Sequence, residues 1–211
     1  MKIFRLSPSA ECTRLREIHV YHRNPVSDIS NLCPEPNLMP VTTERAEALR
    51  RLLEAAPERP AAGAAPRVVI DTNVLMDVLH WEDPAVRDLG GLIESGELQP
   101  VRDEATLLEA AEVLDRTTFG IPFADVSAML GRWIGMSEDA PEAALRPTGT
   151  PRCRDPLDQK FLDLAVGAGA AILVTKDKLV LKTRRKMAAL GIHVVKPEDV
   201  ARALDDVKHG R

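Results

Sequence analysis

Carboxylates stand at the ends of apolar runs in three parts of this chain. Asp71 directly follows "RVVI", Asp177 closes "AILVTKD", and Asp155 and Asp158 stand three apart in "CRDPLDQKFLDLA", at the start of a helical pattern. A fourth stretch, "DEATLLEAAEVLDR", carries Glu109 and Glu112 away from the apolar face that Leu107, Ala111 and Leu114 make at helical spacing. Carboxylates gathered within a few ångströms repel one another and hold their protons more tightly unless a cation compensates them. An oxygen-only cluster of this kind suits Mg²⁺ or Mn²⁺. Each residue also has a plainer role: Asp155 as a helix cap, the two glutamates as solvated side chains.

The elements that must position these groups follow from the apolar spacing. Strands are expected at 67–71, about 99–102, 171–175 and 192–195. Helices are expected near 73–80, 84–95, 103–115, 122–135, 156–168, 183–190 and 197–205. Short apolar strands alternating with helices predict an α/β fold of three layers, a mostly parallel central sheet with helices on both faces. Ligands of such sheets bind beyond the carboxyl ends of the strands, where Asp71 and the Thr175–Asp177 pair would stand if their strands are neighbours. Residues 1–66 hold eight of the 16 prolines and read as an extension and linker, largely disordered apart from one helix near 43–56. The domain proper is expected at 67–205, with 206–211 as a tail.

Composition narrows the functional classes. Cys12, Cys33 and Cys153 are scattered and odd in number, which argues against a disulfide framework or a zinc knuckle and for a reducing cytoplasm. No apolar run is long enough to span a membrane. Net charge is −4 over 211 residues, with +1 on residues 1–66 and −5 on the remainder. An acidic domain attracts nucleic acid poorly by bulk charge, so such a role must rest on local patches or on metal.

Taken in order, "VVIDTNVLMDVL", "LLEAAEVLDRTTFGIP", "CRDPLDQKFLDLAV" and "ILVTKDKLVL" resemble the PIN domain family, in its bacterial toxin–antitoxin branch, over roughly residues 67–200. The resemblance implies a PIN-like fold and a metal-dependent endoribonuclease that hydrolyses single-stranded RNA. Asp71, Asp158 and Asp177 would bind Mg²⁺ or Mn²⁺, with Asp155 as an acidic neighbour and Glu109 holding the attacking water. Glu112 is the alternative glutamate. Thr72, Asn73 and Thr175 would support the acids. The resemblance also implies a cognate antitoxin and a homodimer. Lys176 departs from the family, which has Gly there; it could hold a phosphate or fill the metal position. The second possibility favours a rival reading, a PIN-like protein- or RNA-binding module without catalysis.

"KDKLVLKTRRK" holds six basic residues against one Asp. It reads either as a solvated face or as a groove in which Lys176, Lys182, Arg184, Arg185 and Lys186 guide RNA towards the metal. His19 and His22 are an accidental pair with no further ligand nearby. His80 and Trp81 are expected to end the first helix, and Trp133 to pack. With 3% aromatic residues, a base-stacking platform is not expected.

Overall fold

Strand order decides where a site can form in this chain. The computed structural model describes residues 43–55, 63–81, 83–116, 119–141, 147 and 149–210. Strands β1 (Arg67–Ile70), β2 (Gln99–Arg102), β3 (Glu138–Asp139), β4 (Ile172–Val174) and β5 (His193–Val195) form one five-stranded sheet in the order β3-β2-β1-β4-β5. Every pairing is parallel, with Val68 opposite both Pro100 and Ile172. The chain therefore leaves β1 outward through β2 to β3, then returns to the other side of β1 as β4. Connections diverge from β1 and β4 in opposite directions, which opens a crevice at the carboxyl ends of those two strands.

Both faces of the sheet are dry, as parallel sheets require. Val69, Val101, Leu173 and Val194 join Phe161, Leu162, Ala165 and Met187 in one core. Their strand neighbours Val68, Ile70, Ile172 and Val174 alternate to the opposite face and are equally buried. Pro100 is tolerated inside β2 because β3 pairs only with Val101 and Arg102, while the Gln99 N–H already bonds the Pro66 carbonyl on the β1 side.

The helices are α1 (Thr43–Glu54), α2 (Thr72–Met76), α3 (Arg87–Glu94), α4 (Glu104–Leu114), α5 (Phe123–Met136), α6 (Gln159–Gly167), α7 (Lys178–Leu181), α8 (Arg184–Ala188) and α9 (Val200–His209). A π-turn, Asp77–Trp81, prolongs α2, and single 3-10 turns precede α3 and α9. α6 lies on β1 and β4, whereas α9 packs on β4, β5 and α3 on the other face. No helix among the described residues is long and apolar enough to cross a membrane.

Several boundaries differ from the sequence reading. The first and fourth strands stop at Ile70 and Val174, because Asp71 and Asp177 are the N-caps of α2 and α7. The strand β3 and the one-turn α7 were not expected; elements of two and four residues are too short to show a period. The helix expected over 156–168 begins only at Gln159. The expected tail is mostly helix: α9 runs to His209, where Gly210 adopts φ 66° and satisfies the last carbonyls. Helix α1 matches the element expected near 43–56, and Trp133 is buried as expected. His19, His22, Cys12 and Cys33 lie outside the described residues.

Candidate active site

Asp71 is placed by two interactions at the top of the crevice. Its N–H bonds the Val174 carbonyl at 3.0 Å and extends the β1–β4 ladder by one step, while its Oδ1 accepts the Asn73 N–H at 3.2 Å and starts α2. The chain thus turns from strand to helix on one residue, and the carboxylate is left facing β4. There Thr175, wholly buried, donates its hydroxyl to Asp71 Oδ2 at 2.6 Å and accepts the Asp177 N–H at 2.9 Å. One hydroxyl has one proton and two lone pairs, so both bonds can form together. The side chain of Thr72 is buried, and that of Asn73 is exposed; it is the Asn73 backbone that orients Asp71.

Electrostatics tie together the acids of four elements. Burial pushes the Asp71 carboxyl above the usual aspartate range, Glu109 and Asp177 add to the rise, and the Thr175 hydroxyl and Asn73 amide oppose it. Asp158 is pushed up to about 7, first by burial and then by the negative charges of Asp155, Asp71, Asp177 and Glu109. Asp71 just past β1, Glu109 on α4, Asp158 at the head of α6 and Asp177 at the head of α7 therefore share one crevice. Asp155 joins them from the loop before α6, where its Oδ1 accepts the Leu157 N–H at 2.9 Å. Glu112 is exposed.

The basic residues divide differently. Lys160, on the first turn of α6, pairs with Glu109. Lys176 turns away from the cluster: its ammonium lies 2.5 Å from Asp77 and 3.2 Å from Asp83, and these acids hold it above the usual lysine range. It therefore clasps the 77–83 segment beside the crevice and does not fill a metal position. Lys182, which caps the end of α7, and Arg184, Arg185 and Lys186 on α8 are exposed. Cys153 is buried, and burial raises its thiol further.

The donor set suits a hard divalent ion: it is all oxygen, and at Asp158 it is short of positive charge. Asp158 is also the acid with no capping bond, whereas Asp177 Oδ1 accepts the N–H groups of Leu179 and Val180 at 2.5 and 3.1 Å. Among the described residues no three His, Cys, Asp or Glu side chains already converge as a chelate. Each oxygen of Asp71 accepts one bond and keeps a lone pair for a further partner, while at Asp177 it is Oδ2 that is left for one.

A profile of the PIN domain matches residues 67–179, more than half of the chain and all four acids. The chain belongs to the PIN domain family. Its fold is therefore of the nuclease type, PIN domains being generally nucleases that use divalent metals. No curated protein matches the sequence. The matched segment of the PIN domain stops short of Lys182 and the arginines beyond it, and it excludes α1.

Sequence reasoning missed four participants in this PIN domain. Lys160 was visible in "CRDPLDQKFLDLA", two residues past Asp158, but its reach to Glu109 depends on how α4 and α6 pack. Asp77 and Asp83, the partners of Lys176, lie roughly a hundred positions away in sequence and gave no local signal. Gln159 holds the loop before α6, accepting the Cys153 N–H at 2.8 Å and donating to Asp163.

Proposed function

We propose that this PIN domain is an endoribonuclease that hydrolyses single-stranded RNA with Mg²⁺ or Mn²⁺ held by Asp71, Asp158 and Asp177, with Asp155 nearby. The observation that carries the reading is the accumulation of acids at the topological switch point, where burial and then mutual repulsion push Asp158 up to about 7. A divalent ion bound there supplies positive charge to the phosphate and acidity to water.

The chain's own residues do the rest. Thr175 and the Asn73 amide hold Asp71 in one rotamer, so its carboxylate is preorganised. Glu109, steadied by Lys160, orients the attacking water and receives its proton. Water oxygen would bond to phosphorus as its proton passes to Glu109, the bond to the 3′ oxygen would break, and that oxygen would take a proton from solvent water. Lys182, Arg184, Arg185 and Lys186 hold the RNA backbone. Replacing Arg184 and Arg185 with Glu should raise KM and flatten the salt dependence while kcat stays near wild type, as for binding shared by ground and transition states.

The test is RNA cleavage by the intact protein and by Asp71→Asn. The variant should fold, and its rate should fall at least about 100-fold; wild-type activity that persists in EDTA would sink the mechanism. A binding module without catalysis is the second reading, and the Glu109–Lys160 ion pair favours it by occupying the proposed water-orienting carboxylate. Calorimetric titration with Mn²⁺ separates the two, since only the enzyme needs the ion. Resemblance to the toxin branch supports a cytoplasmic toxin that forms homodimers and pairs with an antitoxin. Co-purification with the product of an adjacent reading frame would test that role.

A further inference from the structure

The described surface hides nearly all of its large apolar side chains, and the exceptions are Trp81, Phe119 and Leu190. Two of these touch. The rings of Trp81 and Phe119 have centroids 5.5 Å apart and planes at 80°, and His80 stands 5.5 Å from Trp81 on a tilted plane. The contacts fix the indole, yet 48% of Trp81 remains open to solvent. Packing does not explain such a group, because the π-turn is already anchored by buried Asp77 and Leu79.

Both rings are fastened to elements that carry the acids. Trp81 ends the helical segment that begins at Asp71, about 15 Å of helical rise away. Lys176, next to Asp177, clasps the same segment through Asp77 and Asp83. Phe119 lies between α4, which carries Glu109, and α5, which packs on the π-turn and donates from Arg132 to the Val78 carbonyl at 3.2 Å. The aromatic cluster thus stands on segments joined directly to those that carry Asp71, Glu109 and Asp177.

We infer that Trp81, braced by Phe119 and His80, stacks a base of single-stranded nucleic acid a few nucleotides from the phosphate at the carboxylates. The inference rests on the proposed RNA substrate and says how an acidic domain can hold it. A crevice of carboxylates repels phosphates, so contacts that carry no charge would add affinity beside that of the basic residues at 182–186. A base laid on an indole provides one, and every base has the π-face it needs.

The test uses the full chain in EDTA, so that substrate stays intact, with a short oligoadenylate and the same strand made abasic. Trp133 is buried and gives a steady background, so changes in tryptophan emission report Trp81. RNA should quench that emission. Trp81→Ala should weaken binding about five- to 100-fold, Trp81→Phe should restore most of it, and the abasic strand should lose as much on wild type. The salt slope should stay the same, because no phosphate contact is removed. Equal affinity of wild type and Trp81→Ala, or of the two strands, overturns the inference. So does a Trp81→Ala variant that sediments as monomer from a dimeric parent with RNA affinity unchanged, which would make the patch a protein interface. Wild type that binds and is quenched but does not cleave with Mn²⁺ removes the ribonuclease reading and leaves the stacking site standing. Cleavage that ignores Trp81 does the reverse.

Discussion

Asp158 makes the balance of charge in the crevice measurable. Folded, it keeps its proton to about pH 7; in the unfolded chain it gives it up near the ordinary 3.8. Between those values the unfolded state binds fewer protons, so stability without metal should fall as pH rises from about 4 to about 7 and then level off. Asp158→Asn should flatten this slope, leaving the part due to Asp71, and raise stability at pH 8 by on the order of 1–2 kcal/mol, after allowing for solvent screening. Added Mg²⁺ or Mn²⁺ should raise the wild-type Tm more at pH 8 than at pH 5, because cation and proton compete for the same oxygens. Thermal melts across pH, with and without the ion, check all three; a wild-type Tm that is flat with pH would contradict the crowding. Asp71 and Asp177 could be found from sequence because each ends an apolar run. Lys160 could not, since one more Lys on a helix start says nothing about the glutamate it meets.

At the scale of elements, α4 matters most because it alone carries Glu109. Its start is a reciprocal cap: Asp103 Oδ1 accepts the Thr106 N–H at 2.8 Å, and Thr106 Oγ1 accepts the Asp103 N–H at 3.1 Å. Thr106→Val keeps the volume and deletes the hydroxyl, so it should cost about 1 kcal/mol. For a domain of this size that is a drop in Tm of roughly 2–4 °C. Activity should fall with it if the cap holds Glu109 in place, and melting and cleavage assays on the same variant will show whether the two move together. The long elements here were legible because α4, α5 and α6 repeat their apolar residues over several turns. Neither β3 nor the break between α7 and α8 was legible. The first is two residues paired only at the end of β2, and the second is set by Asp177 capping a single turn.

For the whole molecule, the parallel order and both buried faces followed from alternation of strands and helices, but the adjacency of β1 and β4 did not. It was an assumption until the ladder from Val68–Ile172 to Ile70–Val174 appeared. Glu109 and Glu112 likewise stood open from sequence, and only packing brings the first to the crevice. The N-terminal region is the remaining question at this scale. A chain beginning near Arg59 should keep its melting temperature within a few degrees if residues 67–210 carry their own core. A large loss would show that α1 or the residues before it support the domain.

The bond from Thr175 to Asp71 joins residues 104 positions apart. On the ribosome, Asp71 emerges long before the residue that fixes its rotamer, and β1 cannot gain its central neighbour until β4 has been made. A chain halted anywhere before Thr175 lacks Asp177 as well and has no assembled crevice. Contacts this distant also close late in folding, since the intervening loop entropy must be overcome first. The crevice with all its acids thus assembles only once residue 177 has been made, and fragments that end earlier carry Asp71 without the hydroxyl that holds it.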